Sequence, residues 1–446
     1  MNYQALFAAA GDRTVRVGLV GAGDFGASLL AKTRDMANIE IRVVCDTNES
    51  QMNRAIVASG VDPKSVKCVT DMALAEDVPF DVLVEATGNP VAATANALQA
   101  IERGQHVVMV SKEAAILVGP VLAHLARGKG LVYSEVEGDQ PSLLIGLVSW
   151  ARTLGLDVHA AGKSSEYDFV LEDGDTLNWR GQRFPDCGLQ ELWSADSQSW
   201  PSLTENRNSR VTELGVPTRT VPDYCEMGVV ANATGLLPDL ATFHAPVLRP
   251  VELADALQLQ SDGGLLTGAG RIDVFNCLRR PDEASFAGGV FVIVSCEDQE
   301  TWELLREKGH VVAANGKTAM LYNPQHLLGM EAPITILSAA LLGLPTGALG
   351  AKPRVDLVAR TSKSFKAGDV LTITDAHHHE VAGLQPELIP SIALDDHQPC
   401  PYYLAVGQIL REDVVSGTLL TCAMLDLDKS STLYALRCQQ DAHFET

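Results

Sequence analysis

The chain has 446 residues, of which 46% are hydrophobic, and a formal net charge of −22 at pH 7. This length predicts two or three domains with sizeable cores, and the negative charge argues against nucleic acid or an anionic membrane as a partner. No apolar run reaches the ~20 residues of a membrane span, and the first residues lack a signal-peptide pattern. The nine cysteines are scattered without a C-x-x-C pair, which is typical of reduced thiols in a cytoplasmic protein.

The first motif is a glycine-rich turn between a predicted strand over 16–20 and a predicted helix over 27–36. Three glycines in the spacing G-x-G-x-x-G permit a tight turn, close approach of a pyrophosphate and close helix packing. The helix N-terminus then holds the phosphates. A second predicted strand over 41–45 ends where an acidic side chain meets the adenosine ribose. The residues predicted here to bind a dinucleotide are Gly21, Gly23, Asp24, Phe25, Gly26 and Asp46.

Strand and helix continue to alternate to about residue 150. Predicted strands over 81–86, 106–110 and 131–134 are almost continuously apolar, which is typical of a parallel, doubly wound α/β sheet. Ligands bind beyond the carboxyl ends of such strands. The residues that follow two of these ends, and are therefore also predicted to contact the cofactor, are Thr87, Gly88 and Ser111.

The sequence changes character after about residue 156. A predicted helix over 223–236 and a strand over 289–296 lie among Gly-, Trp- and Pro-rich stretches, which indicates an α+β substrate domain. The apolar stretch 333–345 is predicted to pack back on the first domain. Short strands separated by Gly, Asp and Pro then indicate a small, β-rich C-terminal domain. The predicted domains are therefore 1–155, 156–350 and 351–446.

Lys112 is the strongest single candidate for a catalytic group. It follows a predicted strand, and an ammonium group at such a position can polarise a carbonyl or stabilise a developing alkoxide. A surface lysine at a helix start is the alternative interpretation. His326 follows another predicted strand and is a candidate for proton transfer, although a structural loop histidine fits equally well.

An acidic stretch over 134–139 lies where the nicotinamide is expected. Its carboxylates, Glu135, Glu137 and Asp139, suit Mg²⁺ or Mn²⁺, which prefer oxygen ligands. Alternation along an extended chain points Glu135 and Glu137 to opposite sides, so we expect a single one of them to face the site with Asp139. A solvated acidic loop is the alternative.

Small residues around Lys163 indicate an anion site, because they expose N–H groups beside hydroxyl and ammonium donors. An ordinary turn is the alternative. Glu226 lies on the predicted helix over 223–236, six residues before Asn232, so these two side chains need not act together. The run of histidines over 377–379 is interpreted as an exposed hairpin tip. The predicted substrate-binding residues are Lys163, Ser164, Ser165, Arg207 and Arg210.

The sequence Ser111-Lys112-Glu113 after a strand resembles the strand-Asn-Lys step of homoserine dehydrogenases, with Ser111 in place of the asparagine. Over almost its whole length the chain resembles the 1-deoxy-D-xylulose 5-phosphate reductoisomerase-like (DRL) group of oxidoreductases. Residues 134–139 occupy the place of that group's metal motif, and residues 160–165 are similar to its phosphate-binding loop. The resemblance implies a homoserine-dehydrogenase-like cofactor domain, a C-terminal domain similar to the SAF fold, and a homodimer.

The activity that the resemblance implies is NADPH-dependent conversion of 1-deoxy-D-xylulose 5-phosphate to 2-C-methyl-D-erythritol 4-phosphate, in isoprenoid precursor synthesis, with Mg²⁺ or Mn²⁺. Asp46 is a departure, because its charge repels a 2′-phosphate and favours NAD. The alternatives are an NAD(P)-dependent dehydrogenase of homoserine or another small hydroxy acid or sugar acid, and a non-catalytic cofactor-binding regulator. The predicted catalytic residues are Lys112, Glu137, Lys163 and His326.

Overall fold

A computed structural model of the chain describes residues 2–11, 13–195, 198–375 and 379–445. The first region is a six-stranded sheet, with β1 (Val15–Val20), β2 (Ile39–Cys45), β3 (Lys67–Val69), β4 (Val82–Glu85), β5 (His106–Met109) and β6 (Tyr133–Glu135). The helices of this region are α1 (Tyr3–Ala9), α2 (Asp24–Thr33), α3 (Glu49–Ser59), α4 (Pro90–Glu102), α5 (Lys112–Gly128) and α6 (Gln140–Thr153). None of the helices described is long and apolar enough to cross a membrane.

All six strands are parallel and follow the order β3-β2-β1-β4-β5-β6. Both faces of the sheet are covered, since Val82 and Val84 of β4 join the core that contains α2 and α3, whereas Leu83 joins the core of α4 and α5. This is the strand order of dinucleotide-binding folds, in which the ligand lies beyond the carboxyl ends. The predicted doubly wound parallel sheet is confirmed.

The second region is built on a nine-stranded mixed sheet. Its strands are β7 (Val158–Ser164), β8 (Phe169–Glu172), β9 (Thr176–Trp179), β10 (Gln182–Phe184), β11 (Leu237–Pro238), β12 (Val247–Leu248), β13 (Arg271–Arg279), β14 (Val290–Ser295) and β15 (Thr318–Asn323). The helices are α7 (Trp200–Glu213), α8 (Val221–Thr234), α9 (Leu253–Ala256) and α10 (Gln299–Glu307).

The main path through this sheet is β10-β9-β8-β13-β7-β14-β15, and β11 and β12 also pair with β13. Strand β7 lies in the middle, parallel to β13 and antiparallel to β14. Helix α8 packs against α5 and α6 of the first region. The mixed sheet confirms the predicted α+β architecture, and α8 brings its side chains towards the cofactor domain.

The remaining elements are α11 (Ala332–Leu337), β16 (Val355–Thr361), β17 (Ile373–Asp375), β18 (Glu380–Val381), β19 (Leu384–Pro390), α12 (Tyr402–Ala405) and α13 (Thr432–Phe444). Ala332, Ile336 and Leu337 of α11 lie in the core that contains α2 and α3. The antiparallel pairs β16-β19 and β17-β18 form two small ladders. The β-rich interpretation of this region is incomplete, because it missed α13.

One hydrophobic core joins the C-terminal region to the rest of the chain. Leu122 of α5, Met227 of α8, Leu388 of β19 and Leu436 of α13 all belong to it. Because this core runs through the three regions, the domain boundaries at 155/156 and 350/351 stay predictions.

Polar contacts hold α13 in place as well. The Gln440 amide donates to the carbonyl of Leu117 at 3.0 Å and accepts from the Val121 N–H at 3.3 Å. These two backbone groups flank Pro120, which lies inside α5 and lacks an N–H of its own. The Gln440 side chain therefore ties the final helix to the backbone of the helix that begins at Lys112.

Candidate active site

The turn after β1 has the geometry that the glycine spacing predicts. Gly21 has a φ of +95°, and a Cβ there would lie 2.2 Å from the carbonyl oxygen of Ala86. A Cβ on Gly26 would lie 2.1 Å from the carbonyl oxygen of Gly21. Gly23 differs, because its Cβ would meet nothing closer than Gln51 Nε2 at 3.5 Å. Packing therefore requires Gly21 and Gly26, whereas Gly23 borders open space at the start of α2.

A cleft of about 580 Å³ opens beside this turn, bordered by Gly21, Gly23 and Asp46. The Asp46 carboxylate accepts the N–H groups of Ala22 and Asn48, both at 2.8 Å. Gly23 caps α2 without a side-chain hydrogen bond, so the N–H groups at this helix start are available to a phosphate. These residues fit a dinucleotide.

The charges around the cleft distinguish between the two nicotinamide dinucleotides. Asp46 and Asp71 both line it, and none of the lining residues described is lysine or arginine. A 2′-phosphate would therefore meet carboxylates without a compensating cation. Asp24 and Phe25, in the first turn of α2, do not line the cleft described, and the Phe25 carbonyl packs against Gly329 instead.

The ends of β4 and β5 are joined by a hydrogen bond in which the Gly88 N–H donates to Ser111 Oγ at 2.8 Å. The Thr87 N–H donates to Glu85 Oε1 at 3.3 Å. Glu85 is fully buried, and burial raises its pKa. The predicted cofactor residues Thr87, Gly88 and Ser111 are thus close together at one edge of the sheet.

Three elements bring two lysines to one carboxylate. Lys112 begins α5, Lys163 lies on β7 and Glu226 lies on α8, and both ammonium groups donate to the Glu226 carboxylate. Lys163 Nζ is also 2.9 Å from Asp223 Oδ1. The side chains of Lys163 and Glu226 are 3% and 4% exposed, whereas that of Lys112 is 24% exposed. Lys112 is therefore the most exposed side chain of this cluster.

The cluster is charged at neutral pH. Burial alone would raise the pKa of Glu226, but the ammonium groups of Lys112 and Lys163 lower it to about 2. Burial alone would lower the pKa of Lys112, but Glu226, Asp139 and Glu113 together raise it well above its usual value. Lys112 is consequently an ammonium ion at neutral pH and does not act as a base.

Two of the three predicted metal ligands, Glu135 and Asp139, line a small cavity together with Lys112, whereas Glu137 does not line it. Glu135 Oε2 accepts the Ala348 N–H at 3.1 Å, while Asp139 caps α6 by accepting the Gln140 N–H at 3.0 Å. Glu137 lies beside Glu331, and burial followed by this neighbouring charge raises its pKa to about 7. No group of three or more His, Cys, Asp and Glu side chains suited to a metal occurs among the residues described. The predicted site at Glu135, Glu137 and Asp139 is therefore not assembled.

The predicted phosphate loop is also absent from the described part of the chain, because Lys163 and Ser164 belong to β7. The Ser164 N–H donates to the Gly289 carbonyl at 2.9 Å, and the Ser165 N–H donates to the Phe275 carbonyl at 2.8 Å. Paired N–H groups cannot bind an anion. The backbone N–H groups of Ser164 and Ser165 are therefore not available to a phosphate, and the assignment of Lys163, Ser164 and Ser165 to substrate binding stays a prediction.

Neither predicted arginine belongs to the lysine cluster. Arg207 is fully buried, and its five N–H groups donate to the Glu252 carboxylate and to the carbonyls of Leu192, Trp193 and Val247. Arg210 is exposed and lies 3.5 Å from Glu213, three residues further along α7. Arg207 has no N–H donor left for a phosphate, so its role is structural.

Two histidines approach the site from different directions. His326 Nδ1 lies 2.9 Å from the Gly288 carbonyl oxygen. His379 Nδ1 lies 3.3 Å from Glu113 Oε1, so this member of the histidine run is partly buried and is not an exposed tip. His377 and His378 lie outside the residues described.

Sequence reasoning missed Glu85, Glu113, Asp223 and His379. The adjacency of Glu113 to Lys112 was the one available signal. Sequence reasoning also named Glu226 but not the lysines that pair with it. The pairing of Lys163 with Glu226 spans 63 residues and leaves no local pattern.

Two family models match separate parts of the chain. Residues 18–133 match the NAD-binding domain of homoserine dehydrogenase, and residues 218–332 match a model described as oxidoreductase DRL, catalytic domain. No protein with a curated description matches the chain in sequence.

Solved structures match about a third of the chain. The WlbA dehydrogenase from Bordetella pertussis, in complex with NADH and UDP-GlcNAcA, is 23% identical, with 35% of this chain and 47% of that chain covered and a TM-score of 0.28. Biliverdin reductase from Synechocystis sp. PCC 6803, in complex with biliverdin and NADP+, is 25% identical, with coverage of 36% and 48% and a TM-score of 0.26. Myo-inositol dehydrogenase from Lactobacillus casei is 16% identical, with coverage of 35% and 46% and a TM-score of 0.29. The match spans less than half of each of these three chains.

Proposed function

We propose that the chain, an oxidoreductase with an NAD(P)-binding domain by its two family matches, transfers hydride between a nicotinamide and the carbonyl carbon of a small substrate. The observation that supports this is the placement of Lys112, which begins α5 directly beyond the end of β5. Its ammonium group is held by Glu226 and stays partly exposed.

Residues of the chain supply binding and proton transfer. Gly21, Gly23 and Asp46 would hold the adenosine and pyrophosphate, and Thr87 would border the nicotinamide. The reduced nicotinamide supplies the hydride when it is bound. As negative charge develops on the carbonyl oxygen, Lys112 Nζ donates its proton to that oxygen. Glu226 keeps Lys112 charged until that moment, and Lys163 with Asp223 fixes Glu226.

The cofactor is expected to be NAD(H) in preference to NADP(H). Asp46 and Asp71 line the cleft without a cation, so a 2′-phosphate is disfavoured. This differs from the NADPH that the resemblance to reductoisomerases implies, and the two cofactors are compared in the experiment below.

The specific reaction that the DRL match favours is conversion of 1-deoxy-D-xylulose 5-phosphate to 2-C-methyl-D-erythritol 4-phosphate. The carboxylates predicted to bind a metal form no group of three in the part of the chain that the structure describes. That same observation favours a second candidate, a dehydrogenase of homoserine or another small hydroxy acid or sugar acid, which needs no skeletal rearrangement. A homodimer and a SAF-like C-terminal domain belong to the proposal on the resemblance alone, and a cytoplasmic location belongs to it on the scattered cysteines.

Absorbance of the reduced cofactor tests the proposal. Purified protein is assayed with NADH and with NADPH against 1-deoxy-D-xylulose 5-phosphate, with and without Mn²⁺, and in the reverse direction with NAD and NADP against homoserine and a panel of hydroxy acids. We expect Lys112→Met to lower kcat/KM about 100-fold or more.

Lys129→Met is the matched control, since Lys129 lies exposed at the other end of α5 and should keep full activity. Turnover that survives Lys112→Met contradicts the assigned proton donor. Cofactor binding without turnover of any compound in the panel supports the non-catalytic regulator instead.

A further inference from the structure

A second cleft, of about 460 Å³, lies between the loop after β4 and the C-terminal region. One wall is formed by Thr87, Gly88 and Asn89, and the opposite wall comes from Ile373, His379 and residues between 403 and 434. Thr87 and Asn89 also line the 580 Å³ cofactor cleft. The two cavities are therefore neighbours on either side of the same loop.

His379 connects this second cleft to the proton donor. It lines the cleft, and its Nδ1 lies 3.3 Å from Oε1 of Glu113, the residue that follows Lys112. The Tyr403 hydroxyl lies 3.5 Å from the same nitrogen, and the Tyr402 hydroxyl donates to the His379 carbonyl at 2.8 Å. The C-terminal wall thus touches the helical turn that carries Lys112.

The chemistry of the lining indicates what the cleft accepts. No lysine or arginine occurs among its described lining residues, and Asp428 places one carboxylate there. The two nearby lysines do not supply a free positive charge, because Glu226 and Asp223 pair with them. A phosphate group in this cleft would lose its hydration and gain no cation.

Neutral hydrogen-bonding groups and apolar surface alternate along the lining. Gln408, Ser431 and Tyr434 offer donors and acceptors, and Leu404 and Val406 offer apolar contact. Such a mixture suits a hydroxylated carbon chain, whose hydroxyls form hydrogen bonds while its C–H groups pack on aliphatic side chains.

We propose that this cleft binds the non-reacting part of the substrate, and that this part is uncharged and hydroxylated. The C-terminal region then determines substrate specificity. This inference rests on the proposed hydride transfer and favours a neutral sugar or polyol over the charged substrates named above. Binding is measurable without turnover, so the inference and the proposed function fail separately.

Calorimetry of the NADH complex tests the class of ligand. The probes are neutral sugars and polyols, including 1-deoxy-D-xylulose, and each is compared with its phosphate ester where one exists. We expect the free sugar to bind at least tenfold more tightly than 1-deoxy-D-xylulose 5-phosphate. Tighter binding of the phosphate, or no binding by any neutral probe, overturns the proposal.

Substitutions in the cleft test whether the neutral probe binds there. Val406→Trp fills the cleft, and we expect it to weaken binding of the neutral probe at least tenfold while the Kd of NADH changes less than twofold. Val415→Trp is the matched control, because Val415 is an exposed valine of the same region that does not line the cleft described. Unchanged probe binding in Val406→Trp overturns the assignment.

A second variant covers the case in which the larger side chain prevents folding. Gln408 is partly exposed in the cleft, and Gln408→Arg adds a cation there. We expect this change to shift the binding ratio at least tenfold towards the 5-phosphate. A ratio that does not move places the sugar elsewhere and overturns the proposal.

Discussion

Two carboxylates that are two residues apart, Glu137 and Asp139, lie in different electrostatic environments. Burial raises the pKa of Asp139, and the nearby Lys112 ammonium group opposes that rise. Glu137 faces Glu331, and burial together with this like charge raises its pKa to about 7. Their chemistry is therefore decided by neighbours from other elements and not by their shared position in an acidic stretch.

The raised pKa of Glu137 makes folding stability depend on pH. The native state binds a proton at Glu137 more tightly than the unfolded chain does, so stability falls as pH rises from about 4.5 to about 7. We expect Glu137→Gln to raise the free energy of unfolding by roughly 2–3 kcal/mol at pH 8 and to change it little at pH 4.5. Urea denaturation at the two pH values measures this.

Glu303→Gln serves as the control for that experiment, because Glu303 is exposed on α10. It should change stability by less than about 0.5 kcal/mol at either pH. A gain for Glu137→Gln that is the same at pH 4.5 and pH 8 would argue against a buried, partly protonated carboxyl.

Single residues at strand ends were the most predictable part of the site. Lys112 and Asp46 follow buried strands of a recognisable sheet, so their place at its carboxyl edge follows from topology alone. The partners of Lys163 and Arg207 come from other elements, and no spacing in the chain encodes them. Lys163 and Arg207, which suggested a phosphate site, are therefore members of buried ion pairs.

At the scale of elements, β7 shows why small residues mislead. A Cβ on Gly162 would lie 2.4 Å from the Asp273 carbonyl oxygen and 2.5 Å from the Phe291 ring. Small side chains are needed wherever backbone approaches something closely, whether that is a ligand or a packed neighbouring strand. A run of small residues in the sequence indicates that something approaches the backbone closely, but it does not show whether this is a ligand or a neighbouring strand.

In the glycine turn before α2, Gly21 and Gly26 are required by packing, whereas Gly23 leaves room for a ligand. Gly23 has a φ of −70°, which alanine adopts freely, and a methyl group there would meet Gln51 Nε2 at an ordinary contact distance of 3.5 Å. We expect Gly23→Ala to leave the melting temperature within about 1 °C of wild type while raising the Kd of NADH at least tenfold, because the methyl group occupies the approach of the pyrophosphate. Thermal unfolding and fluorescence titration measure the two effects.

Gly146→Ala provides the comparison, since Gly146 lies in α6 with open space around its Cβ position. It should leave NADH binding unchanged. Equal NADH affinity in Gly23→Ala and wild type would mean that the dinucleotide does not approach this turn.

At the scale of the whole molecule, the C-terminal region is part of a shared core and not an appended unit. Arg437 of α13 is fully buried, and its guanidinium bonds the carboxylates of Asp356 and Asp441 at 2.6–2.8 Å. Removal of one partner from a buried ion pair leaves the other charge uncompensated. The stability of all three regions should therefore depend on this helix.

Tryptophan fluorescence tests that dependence, because all five tryptophans lie before residue 351. We expect Arg437→Met to lower the free energy of unfolding by roughly 3–5 kcal/mol and to shift the fluorescence transition together with the circular dichroism transition. Arg411→Met, at an exposed ion pair, should shift neither by more than about 0.5 kcal/mol. A fluorescence midpoint that stays in place would show that the C-terminal region unfolds independently.

The contact between Gln440 and Leu117 spans 323 residues. At typical translation rates, roughly 15–65 s separate the emergence of these two positions from the ribosome. During that interval one face of α5 is an uncovered apolar surface on the nascent chain. Early binding of a chaperone to this helix, released once residues 432–444 have been synthesised, is the expected consequence for biogenesis of the protein.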